Sequence, residues 1–275
     1  KQGCMTDKRE TRKSFAVRLN RWVLQLSRHW LRAALVVIGL YAALPWVAPV
    51  LMAAGVTAPA RVLYFVYGPF CHQFAFRSFF LFGEQSAYPR AIAGSELASY
   101  EDYITNSPEF DAALLNWVGR PGQSRFATVE DFDPALWSFD MQFASKDFFG
   151  SSRMGYKTTL CQRDVAIYAA IFLGGLIYSI PFIRRRLRPI PLLLYVFAGV
   201  VPIGIDGFSQ MLGYPPFSLW EPRETLPTFR VATGIMFGLM TAWLVFPYLE
   251  LSFRDTRLQV EDKFRRAGIP FTPSV

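Results

Sequence analysis

Four apolar runs limit what this chain can become: Ala33 to Gly55, broken by Pro45 and Pro49, Val165 to Ile183, Ile190 to Ile205, and Val231 to Leu249. A helix that crosses a bilayer needs roughly 17–25 mostly apolar residues. Three of the runs meet that length and the third in order is short. The composition agrees: 52% of the residues are apolar and the mean hydropathy is +0.22, both concentrated in these runs. The expectation is an all-α membrane protein with four transmembrane helices.

Charge orients them. The net charge is +8, but its distribution is uneven. Lys1 to Arg32 hold nine basic residues, Arg184, Arg185, Arg186 and Arg188 form a tight cluster, and Arg254, Arg257, Lys263, Arg265 and Arg266 fill the last segment. Basic residues flanking spans mark the cytoplasmic side. The expected arrangement is a multi-pass protein of the cell (inner) membrane with both termini cytoplasmic and anionic lipids as partners on the inner face. No nucleic-acid-binding motif accompanies the charge, so a nucleic-acid partner is not expected.

The chain divides into five segments. Residues 1–32 form a basic cytoplasmic segment, polar and disordered to about residue 11. Cys4 there follows no apolar stretch, so no lipoprotein signal is read. Phe15, Leu19, Trp22, Leu26 and Trp30 then recur at three- and four-residue spacing, which predicts a helix lying on the membrane surface. His29 lies in it and reads as a solvated side chain. Residues 33–83 hold the first span and an ambiguous stretch from Pro59 to Gly83. The first span ends outside and the second must begin outside, so an even number of crossings lies between them. Zero is the simplest, which predicts a re-entrant or interfacial helix. Residues 84–160 carry eleven acidic and six basic residues and predict an extracytoplasmic, mostly helical cap, with helical starts at Ser107-Pro108 and Asp133-Pro134. Residues 161–250 hold three spans. Cys161, Asp164 and Tyr168 share a helix face, and Gly234 with Gly238 permits close helix packing. Residues 251–275 form a cytoplasmic tail.

On this topology a set of polar residues gathers at the outer boundary: Cys71, His72, Gln73, Arg77, Cys161, Arg163, Asp164, Asp206, Gln210, Glu224 and Arg230. Ionisable groups at membrane depth are costly and are usually paired or functional. A single polar pocket is expected.

The order of these residues resembles the bacterial and archaeal membrane family DUF2085. The matching elements are Cys71-His72-Gln73, Arg77-Ser78-Phe79, Cys161-Gln162-Arg163, Asp206-Gly207 with Gln210 and Gly213, and Arg230 with Thr233-Gly234. The resemblance covers most of residues 60–240. It implies a membrane location and a shared site, but no known reaction. Members often carry a second Cys where Asp164 stands, and a shorter connection where residues 84–160 lie.

Three readings of the site stand open. Cys71, His72, Cys161 and Asp164, or Asp206 in place of Asp164, offer mixed sulfur, nitrogen and oxygen ligands for a transition metal such as zinc. Alternatively, Cys71 and Cys161 form a disulfide in an oxidising compartment. In the third reading both are free thiols beside ion pairs such as Arg163–Asp206. Two functions follow. The first is an accessory subunit or assembly factor of a larger membrane complex. The second is a membrane-embedded enzyme for a lipid-like or quinone-like substrate, with His72 as general acid/base and Asp164 or Asp206 orienting it or holding metal. No P-loop, dinucleotide fingerprint, nucleophile elbow or haem-attachment motif occurs, which favours the accessory role. Transport ranks third, since four spans show no internal repeat.

Overall fold

The computed structural model describes residues 2–272, with side chains from residue 15 onward. Helix α1 runs unbroken from Gln2 to Ala53. The expected surface helix and first span are therefore one element, and the stretch expected as disordered is its start. No helix stop separates them: the first prolines, Pro45 and Pro49, lie near its far end. The thiol of Cys4 lies outside the described side chains. His29 is exposed, as expected.

After α1 the chain turns into α2, Thr57–Tyr67. At 11 residues, or about 16 Å, α2 is too short to cross a bilayer. The predicted interfacial helix over 59–83 ends there. Gly68-Pro69 breaks it, and residues 78–81 form strand β1, Ser78–Leu81.

The following insert corrects the expectation of a mostly helical cap. Its helices α3 (Tyr100–Ile104), α4 (Pro108–Leu114) and α5 (Phe139–Asp147) are short, and turns and loops separate them. Ser99, Ser107 and Ser138 cap them through their side chains. The Ser107-Pro108 start is where the sequence placed it; Asp133-Pro134 opens only a turn, because Asp133 Oδ1 accepts from the Ala135 N–H at 2.9 Å and closes it locally. Strands β2 (Gly150–Ser151) and β3 (Gly155–Cys161) complete an antiparallel sheet of order β1-β3-β2, so the fold is not all-α. Thr158, Thr159, Phe79 and Phe80 are residues that suit a half-buried pleated surface. Gly155 turns at φ +69°, and a Cβ there would lie 2.1 Å from the Leu81 carbonyl oxygen. Tyr88, Tyr100, Phe110, Leu114, Met141 and Phe148 make the insert's own core, which also takes in Phe74, Phe76 and Phe80.

β3 runs straight into α6, Gln162–Tyr178, with Cys161 at the junction. Then come α7 (Pro181–Arg186), α8 (Leu192–Tyr195), a π turn at Val196–Val200 and α9 (Val201–Gly213), the last three continuous. Pro202 follows the π turn. It lacks an N–H and crowds the carbonyl four residues back, which explains the widened turn. Helix α10 spans Pro227–Arg266.

Among the described residues, three helices are long and apolar enough to cross a membrane by length and composition: Phe15–Ala53, Leu192–Gly213 and Pro227–Arg266. Their most apolar windows are only 17%, 11% and 28% buried within the protein, so their side chains, such as Val37, Leu40, Leu193 and Phe197, face outward. α6 has 17 residues, the lower limit for a span. It packs along α10 at Gly234 and Gly238, where a Cβ would stand 2.7 Å from the Arg163 carbonyl oxygen and 2.5 Å from that of Ile167. The expected glycine face is therefore a helix contact. The basic half of α1 packs beside the end of α10, with Leu24 against Val260 and Phe264.

Candidate functional site

The cysteines meet because of the sheet. β1 pairs antiparallel with β3, with Ser78 opposite Cys161, and this brings the 71–78 segment to the start of α6. Gln73 fixes the approach. It holds φ at +57°, and its buried amide donates to the carbonyls of Tyr64 and Thr159, each at 2.9 Å. Its own carbonyl accepts from Lys157 Nζ at 2.7 Å. That ammonium also donates to the carbonyls of Ser145 and Lys146. Three acceptors suit its three protons, while complete burial pushes its pKa down to about 7.

Cys71 Sγ lies 2.9 Å from Cys161 Sγ, and the two are not bonded. The N–H groups of Cys161 and Gln73 donate to Cys71 Sγ at 3.2 and 3.4 Å. The ligand atoms of Cys71, Cys161 and Asp164 all lie within 4.8 Å of one another. The hydrogen bond to Cys161, together with burial, pushes the Cys71 thiol up. The same hydrogen bond holds Cys161 below the usual thiol range, and Arg77 and Arg230 add to this. Tyr67, Leu160 and Val165, with Tyr41, Phe79 and Tyr168, wall the group off, and the Tyr41 and Tyr168 rings meet edge to face at 4.5 Å.

Beside it lie two carboxylates. Glu224 Oε1 accepts from Arg77 Nη2 at 2.5 Å and from the Tyr214 hydroxyl at 2.9 Å, and Oε2 accepts from Arg77 Nε and from Arg230. Burial raises the Glu224 pKa, but Arg77 and Arg230 outweigh it and hold it below the ordinary value. Asp206 takes Arg163 on Oδ2 and Arg223 and Thr225 on Oδ1. Gln210 joins the halves: its amide nitrogen donates to Asp206 and Thr225, and its oxygen accepts from Arg230 at 3.5 Å.

Of the residues expected at one site, the structure brings Cys71, Cys161 and Asp164 together and groups Arg77, Arg163, Asp206, Gln210, Glu224 and Arg230 beside them. The anticipated Arg163–Asp206 pair is present, and so is the Asp206–Gln210 contact. His72 is not in the thiol–carboxylate group; it is exposed, with its ring centroid 5.3 Å from that of Phe74. Asp206 is likewise outside that group. Sequence reasoning missed Tyr214, Thr225 and Lys157. Thr225 adjoins Glu224 in a run of polar residues, Arg223-Glu224-Thr225, and that adjacency was the available signal. A single Lys in a strand gave none.

Residues 151–244 match the model of the family DUF2085, described as a predicted membrane protein. The DUF2085 stretch holds the last residue of β2, all of β3 and α6 to α9, and the first part of α10. It includes Cys161, Asp164 and both carboxylates, but not Cys71, His72 or Arg77. An uncharacterised protein of Methanocaldococcus jannaschii is 27% identical over 115 residues, which is 41% of this chain and 65% of that protein. The match therefore spans just under two thirds of that relative's length. No solved structure matches this chain.

Proposed function

We propose that this chain is a four-span membrane protein with a non-catalytic, accessory role in a larger membrane complex. In this reading α6 is the fourth span, the thiol group faces the outer side of the inner membrane, and both termini are cytoplasmic. The observation that carries it is the saturation of the two carboxylates beside the thiols, Asp206 and Glu224. A catalytic acid or base must exchange a proton with substrate, yet Asp206 and Glu224 each sit between two guanidinium groups and a hydroxyl. Such a network specifies how helices and loops fit together. The test is purification in mild detergent: partners in fixed ratio support the role, and a clean monomer counts against it.

A specific observation favours a second reading, a metal-dependent enzyme. The Cys71, Cys161 and Asp164 ligand atoms converge from the loop after α2, the end of β3 and the first turn of α6. Two sulfurs and one oxygen suit zinc, and three protein ligands leave the fourth position for water or substrate. Near-stoichiometric metal that is lost in Cys71→Ser and in Asp164→Ala supports this reading. Absence of metal, with both thiols titrating only after reduction, assigns a Cys71–Cys161 disulfide instead. His72→Ala tests the catalytic role: the enzyme reading requires loss of activity at an unchanged amount of protein in the membrane.

A further inference from the structure

The opposite end of the bundle holds a second site. A cavity of about 1220 Å³ opens between α7 and the later half of α10. Arg28 of α1, Arg185, Arg186 and Arg188 of the segment after α6, and Arg254 and Arg257 of α10 line it, together with Arg184. Basic loops on one side of a membrane require only that charge lie on that side. They do not require three distant segments to converge on one concavity.

The convergence is held in place. Arg184 grips Glu250 through Nε and Nη2 at 3.0 and 2.6 Å, and Trp30 Nε1 donates to the same carboxylate at 3.0 Å. Trp243 Nε1 donates to the Arg188 carbonyl at 3.1 Å and so pins that segment to α10. Among the described residues Glu250 is the only acid lining the cavity, and it is already engaged. Arg28 pairs with Glu261. Among the described residues Arg185, Arg186, Arg188 and Arg254 form no ion pair. Among the described residues the Nε atoms of Arg28 and Arg257 are buried without a hydrogen-bond acceptor. Gathered like charges repel, and buried donors without acceptors cost stability. Both penalties are relieved by an oxyanion whose geometry suits guanidinium forks.

We infer that this cavity binds a phosphate-bearing anion, and that the headgroup of an acidic phospholipid is its source. The apolar part of the lining, Leu187, Pro189, Pro247 and Leu251, suits the first carbons of an acyl chain. Basic pockets between membrane helices commonly take such headgroups. This site is independent of the thiol group and of the role proposed for it.

The test uses the full chain in neutral detergent, titrated separately with phosphatidic acid and with pyrophosphate. Saturable one-to-one lipid binding is expected. Arg185→Gln, Arg188→Gln and Arg254→Gln combined should weaken it on the order of a hundredfold. Arg120→Gln, Arg125→Gln and Arg153→Gln in the insert, the same charge loss, should leave it unchanged. The Lys versions of the first three keep charge but lose the fork, and should fall between, which guards against a misfolded Gln variant. Saturable pyrophosphate binding without saturable lipid binding supports the phosphate site and overturns the lipid source. Saturation by neither probe, or equal loss in the insert variant, overturns the site.

Discussion

The two ends of α10 treat arginine in opposite ways. At Arg230 the guanidinium groups meet carboxylates: Arg77 and Arg230 share Glu224, while Arg163 and Arg223 share Asp206. Near Arg254, 24 positions or about 36 Å along the helix, arginines mostly meet one another around a cavity. The first end is internally balanced, and its charges hold loops and helices in register. The second is unbalanced and depends on whatever counter-charge its surroundings supply. Similar residues thus act as internal fasteners at one end and as a receptor surface at the other.

The sharpest way to break the comparison is Glu224→Gln. The Glu224 and Arg230 side chains are 2% and 5% exposed, so removing the anion strands buried charge. The expected loss of stability is about 3–5 kcal/mol, read by thermal or denaturant unfolding in detergent. A loss near zero would mean that the cluster is not a fastener. The acid limb gives a second readout. The folded-state pKa of Glu224 is held below 4.5, its ordinary value. Its contribution is therefore complete above that value and disappears as pH falls through the depressed folded pKa. The parent should lose stability over this window by a margin that Glu224→Gln lacks.

Gly238→Ala should cost less, about 1–3 kcal/mol, because its Cβ would meet the Ile167 backbone oxygen at 2.5 Å. The strain falls between the two ends, at the α6–α10 contact that joins them. If unfolding is unchanged, α6 sits more loosely on α10 than the packing implies. Cys71→Ala follows, at about 1–2 kcal/mol, since two backbone N–H groups lose a sulfur acceptor. A much larger loss would indicate that the sulfur carries a bond to Cys161 or to a metal.

Much of this was legible in the sequence, and the exceptions have physical causes. The apolar runs, the glycine face and the Arg163–Asp206 pair depend on local periodicity and on few possible partners. Residues 78–81 and 155–161 did not read as strands, because each is short and their pairing joins residues 75 or more positions apart. That one pairing also determines which candidates meet. It delivers Cys71 to Cys161 and Asp164, and leaves His72, the next residue, outside. The arginine cavity was legible only as a charge bias. Convergence of Arg28, Arg188 and Arg254 needs the α1–α10 and α7–α10 packing, and no local pattern encodes that.

The smallest effect on stability is also the one whose sign separates the two ends. Arg185→Gln with Arg254→Gln removes two exposed guanidinium groups that form no ion pair among the described residues. In neutral detergent the change should lie within about 0.5 kcal/mol of zero, and relief of repulsion should tilt it towards a gain. With acidic phospholipid present, the parent should be stabilised by the binding free energy and the variant much less, so the order of their melting temperatures reverses. A variant that loses stability equally in both media would show that these arginines fasten the fold as Arg230 does, and the distinction between the ends of α10 would fail.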